Sequence, residues 1–155
     1  MTGARLVAVV ALALAVGASA AVAASPTQSS TARERQMRAV VHAWSARLNA
    51  GDNAGVARLF SVPALVIQGP YAYRLRTRAQ VALWHSGLPC SGRVVSVTIR
   101  GRYATAVFRL GDRGKTSCDA PGTLAAARFE IVDGKIVRWE QVPVPAKQDE
   151  PGPVA

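Results

Sequence analysis

Few side chains in this sequence could exchange a proton near neutral pH, and His85 is the leading candidate. An imidazole titrates close to neutrality, and His85 shares a predicted helical face with Trp84 and Leu88, so it could face an interior pocket. The alternative is a structural histidine that packs on Trp84 and hydrogen-bonds a loop. His42 lies opposite the apolar stripe of its own predicted helix, and we interpret it as solvated.

The other polar candidates lie in predicted strands. Glu130 and Glu140 could serve an active site, although ion pairing with arginines on a neighbouring strand is the commoner role of such residues. Tyr71 and Tyr73 could donate hydrogen bonds to a ligand or simply fill a strand face. Each of these side chains therefore has a structural explanation beside the functional one.

Several chemistries have no sequence support. Two separated histidines and two distant cysteines do not give the spacing of metal ligands. The sequence also lacks a glycine-rich phosphate loop and the elbow motif of a serine nucleophile. We therefore expect neither a metal nor a cofactor.

The first 24 residues have the pattern of a secretory signal peptide. Arg5 is followed by the apolar run LVAVVALALAVGASAAVAA, which ends in small residues typical of a cleavage site. An uncleaved membrane anchor is the alternative, but we expect cleavage and no stable membrane span afterwards. The predicted location is outside the cytoplasm of a bacterium, either secreted or periplasmic.

The two cysteines, Cys90 and Cys118, are the only ones in the chain. An oxidising compartment favours a disulfide between them. They flank a predicted hairpin, and antiparallel pairing would bring its two ends together. A free reactive thiol is the alternative.

The net charge of +10 comes mostly from arginines that are spread along the chain. A nucleic-acid platform would interleave basic and aromatic residues, and this sequence does not. We therefore expect no nucleic-acid partner, and at most a weak attraction to an anionic cell envelope.

The clearest structural signal is a β-hairpin over Arg93 to Leu110, RVVSVTIRGRYATAVFRL. Gly101-Arg102 at its middle is typical of a type II′ turn, whose first central position needs a positive φ. The apolar side chains then share one face, and this fixes the register. The predicted pairs are Arg100 with Tyr103, Ile99 with Ala104, Val97 with Ala106 and Val95 with Phe108, and the polar face carries Thr98, Tyr103, Thr105 and Arg109.

Capping residues and turns predict the remaining elements. A linker over residues 25–32 leads to a helix that begins at the capping box Thr31 to Glu34. The last two strands join at Asp133-Gly134, and a β-bulge there would resolve their imperfect alternation, so their register stays open. Further predictions are a short helix capped by Asp52, strands over 64–68 and 71–76, a helix from Thr77 to about Ser86, strands over 123–132 and 135–142, and a disordered proline-rich tail over 144–155.

Helices grouped early, followed by antiparallel strands, predict an α+β roll. Four segments, LNAGDNAGVARLFS, ALVIQG, LRTRAQVALWHSGLP and ARFEIVDGKIVRWEQV, resemble a nuclear transport factor 2-like domain. They are most similar to secreted members of its SnoaL-like branch, which includes polyketide cyclases and ketosteroid isomerases. The resemblance covers residues 33–143. It implies a cone-shaped, cystatin-like roll in which three helices pack on a curved antiparallel sheet.

The resemblance also implies an apolar pocket at the open end of the cone. Pockets of this kind are the default place for a small ligand. The residues expected to line it are Trp44, Tyr71, Tyr73, Trp84, His85, Phe108 and Trp139.

Isomerases of this branch use an aspartate base, a tyrosine and a second acid. The positions that match them here carry Gln68, Trp44 and Ala125. Glutamine and alanine cannot exchange protons, so the sequence favours non-catalytic binding of a small apolar molecule or of a protein partner. The alternatives are an enzyme with a rearranged acid–base set, built on His85 with Tyr73 or Glu140, and a homodimer formed through the exposed sheet face.

Overall fold

The structure is a computed structural model that describes residues 26–146. The predicted signal peptide (1–24) and residues 147–155 of the predicted tail lie outside this range. Among these residues, the helices lack the combination of length and apolar character that a membrane span requires. The elements are α1 (Pro26–Asn49), α2 (Asn53–Leu59), β1 (Phe60–Gln68), β2 (Tyr71–Leu75), α3 (Arg78–Ser86), β3 (Cys90–Arg100), β4 (Tyr103–Asp112), β5 (Leu124–Val132) and β6 (Lys135–Val142).

The six strands form one curved sheet in the order β2-β1-β6-β5-β4-β3. The three helices cover one of its faces and enclose the apolar core, so the predicted α+β roll is confirmed. One pair differs from the prediction of an antiparallel sheet, because β1 and β6 run parallel. The helix α3 and four further strands separate these two strands in sequence, and nothing local indicates their pairing.

The hairpin of β3 and β4 has the predicted register near its turn. Ile99 pairs with Ala104 and Val97 with Ala106, and Gly101 adopts a φ of +59°. The predicted pair of Val95 with Phe108 is wrong, because a β-bulge places Val94 opposite Phe108 and leaves Val95 51% exposed.

The cause of this bulge lies at the beginning of β3. Gly92 is buried against α1, where its N–H donates to Asn49 Oδ1 at 2.8 Å and its carbonyl accepts from Ser45 Oγ. A Cβ at position 92 would lie 3.3 Å from Phe108 Cβ. The close approach of backbone to helix fixes this end of β3, and the extra residue adjusts the register.

The register of β5 and β6, which the sequence left open, contains a β-bulge. Asp133 and Gly134 both have positive φ, as in a type I′ turn, and the register shifts between Glu130 and Ile131. Phe129 therefore lies opposite Trp139 in the core.

Two predicted boundaries are wrong. Helix α1 begins at Pro26 and not after Thr31, so the predicted linker is helical from its second residue; proline is well tolerated in the first helical turn. Strand β1 begins at Phe60 and contains Pro63. Pro63 falls between Phe60 and Leu65, where pairing with β6 is irregular, so its missing N–H breaks no ladder bond.

The predicted caps of the two shorter helices are confirmed. Asp52 Oδ1 accepts from Gly55 N at 2.7 Å, and Thr77 Oγ1 accepts from Gln80 N at 3.2 Å. The Gly55 N–H and the arginines Arg47 and Arg58 hold the pKa of Asp52 below its ordinary value.

The face of the sheet away from the helices is polar and rich in arginine. Glu130 pairs with Arg102 at 3.0 Å, and Glu140 pairs with Arg128 at 2.7 Å. Partial burial opposes ionisation of Glu140, but its two arginine partners hold its pKa below the ordinary value. Both glutamates thus have the ion-pairing role that we considered the commoner one. The homodimer through this face stays a prediction.

Candidate ligand-binding cavity

A cavity of about 210 Å³ opens between the end of α1, the segment that follows α3 and the curved sheet. Trp44 and Leu48 form its helical wall, and Phe108 and Trp139 form much of its sheet wall. The run Ala125 to Ala127 also lines it. Ala125 and Ala127, whose side chains share the inner face of the strand, leave space that larger side chains would occupy.

The apolar wall is held by aromatic packing. The ring of Trp44 lies 5.5 Å from that of Phe108 and 5.2 Å from that of Phe129, measured between centroids. Behind the wall, Trp84 packs on Trp139 at 5.1 Å. Such clusters hold their members in fixed orientations, so the cavity has a defined shape.

The predicted pocket residues separate into two groups. Trp44, Phe108 and Trp139 line the cavity, whereas Trp84 and His85 lie outside its lining. The two tyrosines are on the edge strand β2 and do not contribute to the cavity. Tyr71 is 63% exposed and Tyr73 is 41% exposed, and their rings contact each other.

His85 is completely buried. Its Nε2 accepts from Trp44 Nε1 at 3.0 Å, and its Nδ1 lies 2.8 Å from the carbonyl oxygen of Val81. An indole N–H can only donate and a carbonyl can only accept, so this arrangement requires the neutral ring with its proton on Nδ1. Both nitrogens are engaged, which favours the structural interpretation of His85 over the acid–base role.

The environment of His85 lowers its pKa to about 4. Burial is the main cause, because the cation would lose its hydration. The charge of Arg113 acts in the same direction, and the hydrogen bond to Val81 opposes them.

This shift predicts a pH-dependent stability. Below about pH 6.5 the unfolded chain binds a proton at His85 that the folded chain does not bind until about pH 4, so stability falls on acidification. We expect the free energy of unfolding to drop by about 2 kcal/mol between pH 7.5 and pH 5. Urea unfolding at several pH values measures it. His85→Gln should remove most of this slope and the exposed His42→Gln should retain it; an unchanged slope in His85→Gln would contradict the assignment.

Gln68, Trp44 and Ala125, which the sequence resemblance aligns with the acid–base positions of the isomerases, all lie on the cavity wall. The structure therefore brings these positions together around one cavity. The Trp44 N–H is already engaged with His85, and an amide and a methyl group cannot act as a base.

One carboxylate of the lining, Asp119, was not among the predicted pocket residues. It is exposed, and its Oδ1 lies 3.2 Å from Cys90 Sγ. Its position next to Cys118 was the available signal, because the disulfide brings this loop to the cavity.

The predicted disulfide between Cys90 and Cys118 is present, with the two Cα atoms 4.6 Å apart. It ties the first residue of β3 to the loop between β4 and β5. With Asp119, these sulfurs form a cluster of potential metal donors. Because the two sulfurs are bonded to each other, they are not available as thiolate ligands, and we assign no metal site here.

Arg113, in the same loop, also went unpredicted. Its guanidinium donates to the carbonyl of Leu48 at 2.9 Å, to that of His85 at 2.6 Å and to that of Leu88 at 2.9 Å, and it also bonds Asn53 Oδ1. Burial lowers its pKa. The carbonyls at the ends of α1 and α3 compensate its charge. Arg113 thereby joins the two helix ends beside the cavity.

No protein-family model and no curated protein sequence matches the chain. Solved structures do resemble it. A candidate polyketide cyclase from Sinorhizobium meliloti is 17% identical with a TM-score of 0.57, covering 69% of this chain and 98% of that one. An NTF2-like protein of unknown function from Cytophaga hutchinsonii is 11% identical with a TM-score of 0.55, covering 68% and 87%. A protein with a ketosteroid isomerase-like fold from Catenulispora acidiphila is 15% identical with a TM-score of 0.53, covering 67% and 84%.

These similarities confirm the fold that the sequence resemblance implied. The chain has the nuclear transport factor 2-like fold, also described among its structural neighbours as the cystatin fold. At such low identity they show the fold and do not carry over any activity.

Proposed function

We propose that this protein is a secreted, SnoaL-like domain that binds a small, uncharged and largely apolar molecule without transforming it. The cavity is the observation that carries the proposal. Its wall combines rigid aromatic rings with the small side chains of Ala125 and Ala127, and two glutamine amides, Gln68 and Gln141, supply polarity. Pockets for small molecules typically have this composition.

The charges around the cavity support a neutral ligand. The chain has 19 lysines and arginines, yet none of them is among the residues that line this cavity in the described range. A carboxylate or phosphate ligand would lack a counter-charge there, and burying an unpaired charge is costly. The single acid of the lining, Asp119, is exposed and cannot balance a buried cation.

The residues at the isomerase positions support binding over catalysis. Abstraction of a proton beside a carbonyl needs a base within reach of the substrate. Gln68 and Ala125 cannot accept that proton, and His85 has both ring nitrogens engaged in the core.

The disulfide supports export. Disulfides persist in oxidising compartments and are rare in the cytosol, and the N-terminal apolar run would direct the chain there.

Filling the cavity tests the proposal. Ala125→Phe adds a ring opposite Phe108, so we expect it to reduce the affinity for uncharged aromatic molecules by at least about tenfold. The matched control is Ala72→Phe, which adds the same ring to an exposed position of β2 and should bind as the wild type does. Calorimetric titration with a set of uncharged, carboxylated and amine-bearing aromatics measures both effects. Preferential binding of charged members, or equal binding by both variants, would contradict the proposal.

A further inference from the structure

Tyr71 and Tyr73 form an exposed aromatic surface on the inner face of the sheet. Their alternate positions on β2 place both side chains on one face of the strand. Tyr73 pairs with Val66, which is completely buried in the core, so this is the face that the helices cover elsewhere. Leu75, on the same face of β2, is still buried. The inner face therefore passes from core to solvent between Leu75 and Tyr71.

This tyrosine surface continues the cavity wall. Gln68 lines the cavity and is the ladder partner of Tyr71, and the Cβ atoms of such partners lie about 5 Å apart on the same face. Trp139, another lining residue, pairs with Val66, so only β1 separates it from Tyr73. A molecule that extends from the cavity over Gln68 needs to cross about 10 Å, the width of two strand spacings, to reach the tyrosine rings.

The cavity opens to solvent on this side. Gln141 lines the cavity and is exposed, so it belongs to the mouth. It lies beside Gln68, because the residues that precede these two glutamines, Glu140 and Ile67, are ladder partners. The mouth of the cavity thus adjoins Gln68 and the tyrosine surface beyond it.

The size of the cavity limits what it can enclose. Its volume of about 210 Å³ is not far above the roughly 150 Å³ of a protein cavity that holds one benzene molecule. Pockets for drug-sized ligands measure about 300 to 1,000 Å³. The cavity therefore has room for one substituted ring, and a longer ligand extends through the mouth.

The two tyrosine rings are arranged to accept such an extension. Their centroids lie 6.3 Å apart and their planes differ by 31°, so together they present a broad aromatic surface. Aromatic rings attract one another in offset and tilted arrangements. The third tyrosine of the chain, Tyr103, lies on the opposite face of the sheet, where Arg102 and Arg128 pack on its ring.

Resting on the proposed function, we infer that Tyr71 and Tyr73 bind the second ring of an elongated, uncharged ligand whose first ring occupies the cavity. The ligand class is a pair of aromatic rings joined by a short flexible linker. The cavity supplies enclosure for one ring, and the tyrosines supply stacking for the other.

Two probes that share one end test this inference. Dihydrochalcone is acetophenone with a benzyl group on its methyl carbon, so it adds a second ring and no charge. We expect the wild type to bind dihydrochalcone at least about tenfold more tightly than acetophenone in a calorimetric titration. In Tyr71→Ala/Tyr73→Ala this advantage should fall below about threefold, whereas the affinity for acetophenone should change by less than about twofold.

Two further variants separate stacking from other effects. Tyr71→Phe/Tyr73→Phe should retain the advantage of dihydrochalcone, because stacking needs the ring and not the hydroxyl group. Tyr103→Ala is the matched control, since it makes the same truncation on the opposite face of the sheet, and it should change neither affinity by more than about twofold.

A measurement on the unmodified protein complements the variants. With ¹³C-labelled tyrosine rings, the signals of two of the three tyrosines should shift on saturation with dihydrochalcone and not with acetophenone. The inference is overturned, with cavity binding left intact, if the wild type binds dihydrochalcone no more tightly than acetophenone, or if the advantage survives the loss of both tyrosines. If neither probe binds the wild type, the proposed function fails as well.

Discussion

Replacing Arg113 with methionine is expected to lower the free energy of unfolding by about 4 kcal/mol. Methionine keeps much of the apolar stem but removes every donor. The carbonyls of Leu48, His85 and Leu88 then lose their hydrogen bonds to the guanidinium. Leu48 O and His85 O each keep a backbone donor, Gly51 N at 3.0 Å and Leu88 N at 3.3 Å, but hydrogen bonds to a charged group contribute about 1.5 to 3 kcal/mol each, and three are lost together.

Arg113→Lys should also destabilise, by about 2 kcal/mol, because one ammonium group cannot reproduce the planar fork that reaches two helix ends. The control is Arg35→Met on the exposed face of α1, which should change the stability by less than about 0.5 kcal/mol. Denaturant unfolding of the three variants measures these differences. Equal stability of Arg113→Met and Arg35→Met would show that the arginine does not hold the helix ends together.

Removing the disulfide is expected to lower the free energy of unfolding by about 3 to 4 kcal/mol. The cysteines are 28 residues apart, and the bond restricts the unfolded chain by closing that loop. In the folded state it also holds the loop that carries Asp119 at the edge of the cavity.

The double variant Cys90→Ser/Cys118→Ser measures this effect, and the reductant supplies its control. Dithiothreitol should destabilise the wild type by the same amount and leave the double variant unchanged. A wild-type midpoint that does not respond to full reduction, verified by thiol titration, would contradict the expected contribution.

The features predicted correctly from sequence depend on neighbours in the chain. A glycine with positive φ defines the turn at Gly101, and a side-chain oxygen three residues before a free N–H defines the caps at Asp52 and Thr77. The disulfide followed from the hairpin, because pairing of adjacent strands brings their ends together. Each of these features depends only on local geometry, so it can be predicted without knowing where the rest of the chain lies.

The features that were missed depend on contacts between distant segments. The pairing of β1 with β6 and the position of Arg113 between two helix ends join parts of the chain that no periodicity connects. The bulge at Val95 arises from the way Gly92 meets α1, which alternation of side chains cannot indicate.

The candidate site was predictable in part for the same reason. Trp44, Phe108 and Trp139 belong to apolar faces that must point inward, and they line the cavity. Tyr71 and Tyr73 also lie on one face of an alternating strand, which is why we expected them in the pocket. However, β2 is an edge strand, and the helices do not cover its end. The helical pattern predicts that His85 is buried, but it does not indicate which groups bond the two ring nitrogens. Those hydrogen-bond partners decide the role of His85.

Methyl NMR of the oxidised protein, with ¹³C-labelled alanine, tests most directly whether the cavity binds an uncharged molecule. On titration with acetophenone, we expect saturable shifts of the Ala125 and Ala127 signals, no shift of the exposed Ala39 and Ala72 signals, and loss of the effect in Ala125→Phe. Saturable shifts confined to residues outside the cavity, or none at concentrations near the solubility limit of acetophenone, would contradict it.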